Sequence, residues 1–222
     1  MSGLRERNKE RRRQGILDAA LELLRVNDIG SVTIEQIAAR AEVSPPTVYN
    51  LVGTREQLLV ALVDRVMEGL VESLSESGEQ AEADPVGAAL RAGEDFAAAF
   101  IAESGAYRQI VRALGDLAVA GSQMTFDPTQ IHILAMQRAQ ALGILRADFD
   151  PVALGRQSYL TYVAALFAWG AGAVSDRGFR IAARHGLLTV VAAAAADAHR
   201  DRYVAELVEL SGKLARVTWN RR

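Results

Sequence analysis

The chain has 222 residues, half of them hydrophobic, with 25 basic and 27 acidic side chains, three histidines and no cysteine. That length buries a sizeable core, in one large domain or in a small one fused to a larger, and the lack of cysteine excludes a disulfide framework and thiolate chemistry and suits a reducing cytoplasm. The net charge of −2 argues against nucleic acid until its distribution is read: residues 1–13 carry six basic and two acidic side chains, whereas residues 61–222 carry 16 basic and 19 acidic ones.

A basic arm on an acidic body suits a protein that touches phosphate with one end only; the alternative for the arm alone is a solvated, disordered leader. No apolar segment follows Arg5, Arg7, Lys9, Arg11, Arg12 and Arg13, so a secretory signal is not expected. The longest apolar runs, Val163–Val174 and Gly186–Ala196, are too short to span a bilayer, and no membrane partner is expected.

Apolar spacing is helical from end to end, and no segment alternates with period two between hairpin turns. Leu17, Ala20, Leu21 and Leu24 predict a first helix over about residues 10–27. Ile34, Ile37 and Ala38 predict a short second one, Val48 a third, and Leu58, Leu62, Val66 and Leu70 a fourth from 55 to about 76. The polar stretch Ser75–Asp84 reads as a linker. Val86, Leu90, Phe96 and Phe100 mark a fifth helix, Tyr107, Ile110 and Leu114 a sixth, and Ile131, Leu134 and Leu142 a seventh. Tyr159, Val163 and Leu166 mark an eighth, and Phe179, Leu187 and Val191 a ninth. Tyr203, Leu207 and Leu210 suggest a tenth, although no Gly or Pro separates it from the ninth and one long helix is also open. Asp84-Pro85, Asp127-Pro128 and Asp150-Pro151 each read as a capping carboxylate before a proline at the first helical position, and Ser44-Pro45-Pro46 as the serine version. Thr33 with Gln36 and Thr54 with Gln57 read as capping boxes. The expected fold is all-α, with nine or ten helices.

The informative stretch is residues 31–59, SVTIEQIAARAEVSPPTVYNLVGTREQLL. Two short helices joined by a tight turn can pack through Ile37, Ala38, Val43 and Val48. The second then exposes Pro46, Thr47, Tyr49 and Asn50: a hydroxyl, a phenol and an amide beside one apolar wedge. Short polar groups on such a helix suit base edges and phosphates in a major groove.

This stretch resembles the DNA-binding signature of the TetR family of bacterial regulators. The matching residues are Thr33, Ile37-Ala38, Ala41, Val43-Ser44, Thr47-Val48-Tyr49, and Thr54-Arg55-Glu56 with Leu58. The pattern covers about residues 12–60, and beyond it the likeness is one of architecture. Glu42 stands where Gly is usual, at a cost of about 1 kcal/mol if the position needs a positive φ. Leu51 and Val52 replace larger aromatic residues, which leaves the pose of the recognition helix and the operator sequence open. The resemblance implies a three-helix DNA-binding domain with a basic arm over residues 1–54, and an effector-binding and dimerisation domain over 55–222. It implies hydroxyls and helix ends at Thr33, Ser44 and Thr54 for phosphates, further phosphate contacts from Tyr49 and Arg55, an apolar contact from Pro46, and readout by Thr47 and Asn50. No arginine lies on the recognition helix.

By the same resemblance the C-terminal helices surround an effector cavity, with Phe96, Phe100, Tyr107, Arg112, His132, Met136, Tyr159 and Tyr162 as the candidates that line it, and Met124, Phe126, Arg108, Gln137 and Gln140 nearby. Taken singly, each aromatic or Met can equally be core. The helices at about 152–174 and 178–196 are rich in Ala and Gly and are expected to pair across a two-fold axis, intramolecular packing being the alternative. No cofactor or metal is expected: His132 has no cysteine and no carboxylate at ligand spacing beside it. No P-loop, GxGxxG, GxSxG or HExxH occurs, and no enzymatic activity is expected. The expectation is thus a ligand-responsive, cytoplasmic, homodimeric regulator, most simply a repressor released from a palindromic operator by a small apolar or aromatic effector. An activator on the same fold, or a helical adaptor for another protein, are the other readings.

Overall fold

The computed structural model describes residues 2–76, 82–119, 127–217 and 219. Among them are ten helices: α1 (Ser2–Val26), α2 (Ile34–Arg40), α3 (Pro45–Leu51), α4 (Arg55–Glu76), α5 (Pro85–Ala102), α6 (Ser104–Val119), α7 (Thr129–Ala141), α8 (Pro151–Gly170), α9 (Asp176–Ala194) and α10 (Asp197–Leu214). The extended backbone pairs in one isolated antiparallel bridge, Leu145 with Ala195. Residues 77–81 of the predicted linker, with Met124 and Phe126, lie outside the described residues, and so does the side chain of Leu70.

The first helix differs most from its predicted bounds. It starts at Ser2, not near residue 10, so the basic arm is its opening turns and not a disordered leader. Leu, Arg, Lys, Glu and Gln dominate residues 4–14 and all favour helix. Glu10 accepts a hydrogen bond from Gln14 at 2.7 Å and pairs with Arg13 at 3.4 Å, adding support along the axis. Of the two readings left open for the C-terminal segment, the structure has the tenth helix: α9 and α10 are separate. Ala195 and Ala196 are extended (ψ 137° and 151°) although nothing in the sequence breaks the helix there. The cause is tertiary: the Arg146 amide donates to the Ala194 carbonyl and the Ala196 amide to the Ile144 carbonyl, each at 2.9 Å.

Asp84 and Asp150 accept from the amides of Gly87 and Val152, as capping carboxylates should. Asp127 departs from the pattern: α7 opens one residue past Pro128, and the carboxylate takes both the amide and the hydroxyl of Thr129.

The helices gather in two compact units. The first holds α1, α2, α3, the part of α4 up to Val66, and α6. Here α1 packs on α2, α3 and α6, burying Ile16, Leu17, Leu24, Ile37, Ala38 and Val48. The last carbonyls of α1 have no partners within the helix. Gln109 on α6 supplies one, its amide nitrogen donating to the Leu24 and Asn27 carbonyls at 3.1 and 3.2 Å while its oxygen accepts from the Ile29 amide at 2.7 Å. Arg25 grips Glu103 through two nitrogens, at 2.6 and 2.5 Å.

The second unit holds α4 from Met67, α5, and α7 to α10. Successive helices from α7 to α10 pack on one another, and α5 lies against α7 and α9. The core is aliphatic at one level, with Val86, Leu90, Met136, Leu145, Leu188 and Val191 around Tyr203. It is aromatic at another, where Trp169 stacks on Phe179 with ring centres 5.5 Å apart and meets Phe100 edge-on at 6.3 Å. At Gly155 the backbones of α8 and α7 nearly touch: a Cβ there would lie 2.5 Å from the Ile133 Cα.

Candidate DNA interface and effector cavity

The turn between α2 and α3 is built from backbone hydrogen bonds. The Val43 amide reaches the Ala38 carbonyl at 2.9 Å and the Glu42 amide the Ala39 carbonyl at 3.3 Å, a Schellman closure of α2. It forces Glu42 to φ 55°, the one positive φ at a non-glycine among the described residues. The turn aims α3 so that Val48 is fully buried, while Tyr49 is 52% exposed and Pro46 and Asn50 are exposed beside it. Thr47 is half-buried, its hydroxyl 2.9 Å from that of Ser44.

Thr33 forms the expected capping box, with its hydroxyl accepting from the Gln36 amide and the Gln36 side chain from the Thr33 amide. Ser44 does not cap through its side chain. Pro46 has no amide proton at the second helical position, and the Thr47 amide is taken by the Ser44 carbonyl at 2.8 Å. Thr54 caps α4 with Gln57 as predicted and also donates its hydroxyl to Glu56. Gly53 before it has φ 100°, and a Cβ there would strike the Gln57 side chain, so only glycine fits. Arg55, half-buried, donates from Nη1 to the Val32 carbonyl at 2.5 Å. That bond ties the start of α4 to the strand-like approach to α2, a tether the sequence did not announce.

In the second unit a cavity of about 20 Å³, room for a water molecule or two, lies between α5, α7, α8 and α9. Its apolar wall is Ala89, Leu90, Ala183 and Leu187, and its polar groups are Glu94, His132, Ser158, Tyr162, Arg180 and Arg184. Arg180 pairs with Glu94, and Arg184 with Glu206 on α10. His132 Nδ1 lies 2.8 Å from the Ser158 hydroxyl, which is fully buried. Burial pushes the His132 imidazole down to about 4, so it is neutral at ordinary pH. The Tyr162 phenol, raised by burial, donates to the Gly93 carbonyl at 3.0 Å.

Of the eight predicted pocket residues, His132 and Tyr162 line this cavity. Tyr159 meets the His132 ring at 5.9 Å, and Phe96 meets Tyr162 at 5.7 Å. Phe100 and Met136 are fully buried, Phe100 in the aromatic layer and Met136 in the aliphatic core. Tyr107 and Arg112 belong to the other unit; there Tyr107 is buried and its hydroxyl donates to the Leu62 carbonyl at 3.4 Å, while Arg112 is exposed. Glu94, Arg180 and Arg184 were missed because each reads as a solvated charge on an amphipathic helix.

The small-residue helices α8 and α9 pack on each other within the chain, Gly186 against the Thr161 side chain. Leu160 on α8 is 57% exposed, as are Val204 and Val208 in part on α10. Among the described residues no group of His, Cys, Asp and Glu could hold a metal ion, and no helix is long and apolar enough to cross a membrane.

Residues 16–62 match the family model of bacterial regulatory proteins of the tetR family. Most of the chain resembles solved structures in fold. One is Thermus thermophilus FadR, a TetR-family transcriptional repressor in complex with lauroyl-CoA (20% identity, 81% of this chain and 93% of that one, TM-score 0.62). Another is SmeT, repressor of the multidrug efflux pump SmeDEF of Stenotrophomonas maltophilia (25% identity, 83% and 91%, TM-score 0.60). A third is NalD, secondary repressor of the MexAB-OprM multidrug efflux pump in Pseudomonas aeruginosa (21% identity, 85% and 99%, TM-score 0.55). A comparison with curated proteins finds no match.

Proposed function

We propose that this chain, a DNA-binding regulator of the TetR family, is a cytoplasmic homodimeric repressor that leaves a palindromic operator when a small molecule enters its C-terminal unit. The observation that carries the reading is α3: a buried Val48 beneath an outward set of Pro46, Thr47, Tyr49 and Asn50, inside the segment that matches the family's DNA-binding domain. Residues 1–54 form the DNA-binding domain, joined by Arg55 at the start of α4, and 55–222 bind the effector and the second protomer. Thr47 and Asn50 read bases and Pro46 meets a thymine methyl. Tyr49, Arg55 and the hydroxyls of Thr33, Ser44 and Thr54 meet phosphates. Arg55 keeps N–H groups beyond the one given to Val32.

The cavity beside His132 and Tyr162 is the entry point for the effector. At its present size it holds only water, so an effector must displace Phe96, Tyr159 or the Arg180–Glu94 pair to be admitted. A mainly apolar or aromatic molecule with one or two polar groups suits walls of this kind. The dimer forms through helices at about 152–174 and 178–196, which leaves Leu160 available for burial. Because α4 is continuous from Arg55 to Glu76, a shift of its far end reaches the DNA-binding helices, with a coupling of about 1–3 kcal/mol. The repressors SmeT and NalD share the fold, which favours repression over activation.

Selection of bound duplexes from a random library is the test. It should recover a palindromic site with half-sites about one helical turn apart. Compounds that release that duplex should, by linkage, bind more weakly in its presence by the same factor. Recovery of unrelated duplexes with no shared sequence would reject the proposal and favour an adaptor role.

A further inference from the structure

Arg180 and Arg184 stand one helical turn apart on α9, and both line the cavity. Like charges at that spacing repel. The fold answers by bringing a carboxylate to each from a different helix, Glu94 from α5 and Glu206 from α10. Glu94 lines the cavity and Glu206 does not, so the wall carries two guanidinium groups against one carboxylate, beside a neutral His132. The guanidinium groups also have donors left over. Each holds five N–H; among the described residues Arg180 gives Nη1 to Glu94, and Arg184 gives Nε and Nη2 to a single oxygen of Glu206. Next to them the wall is apolar, with Ala89, Leu90, Ala183 and Leu187 all buried. Glu94, Arg180 and Arg184 are half-exposed, so the charges stand at the wet edge of the cavity and the hydrocarbon lies within it.

We propose that the cavity takes an organic carboxylate, an aryl or alkyl acid whose carboxylate binds Arg180 and Arg184 while its apolar body lies on Ala89, Leu90, Ala183 and Leu187. The proposal rests on the effector-binding reading above and names the chemical class. Glu94 is a built-in stand-in for the acid: its carboxylate already occupies Arg180, so an incoming acid replaces like with like. The pair gives way readily, because a half-exposed ion pair contributes little and Glu94 has solvent to turn into. A cationic molecule would meet two guanidinium groups against one carboxylate. A neutral one would expel water from charged N–H groups and give them nothing in return. A carboxylate answers both, and its two oxygens suit the paired donors of an arginine. The other polar groups of the wall have partners of their own: His132 has Ser158, and the Tyr162 hydroxyl has the Gly93 carbonyl. That leaves the arginines as the groups that select the charge of the ligand.

The experiment uses the full chain, free of DNA, and probes of one shape that differ in charge: phenylbutyrate, phenylbutyramide and phenylbutylamine. Binding is read by calorimetry at fixed ionic strength. The parent should bind the acid more tightly than the amide by roughly tenfold or more, and the amine most weakly. Arg180→Gln should remove the preference for the acid. Glu94→Gln should act in the opposite direction: it frees Arg180 and tightens the acid several-fold while leaving the amide as it was. A Glu94 with a merely structural role would not give a gain confined to the acid. Arg177→Gln, exposed on the same helix and not part of the cavity wall, should change nothing. Ala183→Leu fills the cavity and should abolish binding of every probe. If the parent binds acid and amide equally, and both depend on Ala183, the acid site is overturned while the cavity reading stands. If acid binding survives Ala183→Leu, the cavity reading falls with it. If phenylbutyrate does not bind, the proposal is overturned, and operator release by neutral compounds that Ala183→Leu blocks would still uphold the cavity.

Discussion

Glu42 is the residue at which local chemistry and fold disagree. The Schellman closure of α2 demands a left-handed conformation, and a side chain with a Cβ holds it at φ 55°. Glutamate there costs about 1 kcal/mol relative to glycine. Glu42→Gly should therefore raise the melting temperature by about 2–4 °C, read by circular dichroism, with no loss of DNA binding; a lower melting temperature would show that the Glu42 side chain has a stabilising contact. His132 makes the opposite kind of statement, about pH. Its folded value is pushed down to about 4 from an ordinary 6.5 by burial. As pH falls from 6.5 to 4 the unfolded chain takes up a proton that the folded chain refuses, so stability falls with pH across that window, by about 3 kcal/mol in all. Above pH 6.5 neither state is protonated and the effect vanishes. Denaturant titrations of the parent and of His132→Asn at pH 7.5 and pH 5 should show a smaller acid loss in the variant. Equal losses would mean that His132 is not held neutral by its surroundings. Both features lie partly in the sequence: Glu42 stands out against the family pattern, while the burial of His132 beside Ser158 depends on a contact 26 residues away.

At the scale of elements, helices with strong local signals were legible and their tertiary interruptions were not. Thr33, Thr54 and Asp150 cap where the residues say they should, because a cap needs only its own first turn. The break at Ala195–Ala196 was invisible because it is imposed by residues 144–146. Ser44 does not cap for a local reason: Pro46, which favours a helix start, also removes an amide its hydroxyl would have bonded. Close helix crossings were likewise hidden. Gly155 reads as an ordinary small residue, yet a Cβ there would lie 2.5 Å from backbone Cα and 2.6 Å from backbone nitrogen of Ile133. Backbone cannot yield as a side chain can. Gly155→Ala should destabilise by about 1–3 kcal/mol through overpacking, seen as a melting temperature lower by several degrees. An unchanged value would mean that α7 and α8 separate at little cost.

For the whole molecule, the proposed function divides labour between the units. The first is a small helical scaffold in which caps, the Gln109 clasp on the end of α1 and the Arg55 tether to Val32 fix the elements around α3, the proposed reader of bases. The second is a larger core with a cavity of about 20 Å³, mainly apolar with a few charged and polar groups at its wall, which the proposed effector would have to widen. The helix-turn-helix was legible in the sequence as a fold, because it is short, local and dense with capping signals. The lining of the cavity in the second unit was much less legible. Of the residues expected there, Phe100 and Met136 are core and Tyr107 and Arg112 lie in the other unit, while the cavity's charges come from Glu94, Arg180 and Arg184. Such a set is brought together by packing across four helices, and no spacing along the chain encodes it.

The most direct test of the account is a comparison of parent, Tyr49→Ala and Asn50→Ala on the selected operator and on every single-base-pair variant of it, by fluorescence anisotropy at fixed salt. Tyr49→Ala should weaken binding to all duplexes alike, because a phosphate contact is blind to sequence. Asn50→Ala should lose discrimination at one base pair of each half-site, by about 1–3 kcal/mol, and leave the other positions unchanged. If both variants bind the whole set as the parent does, α3 is not the recognition helix and the account is wrong at its centre.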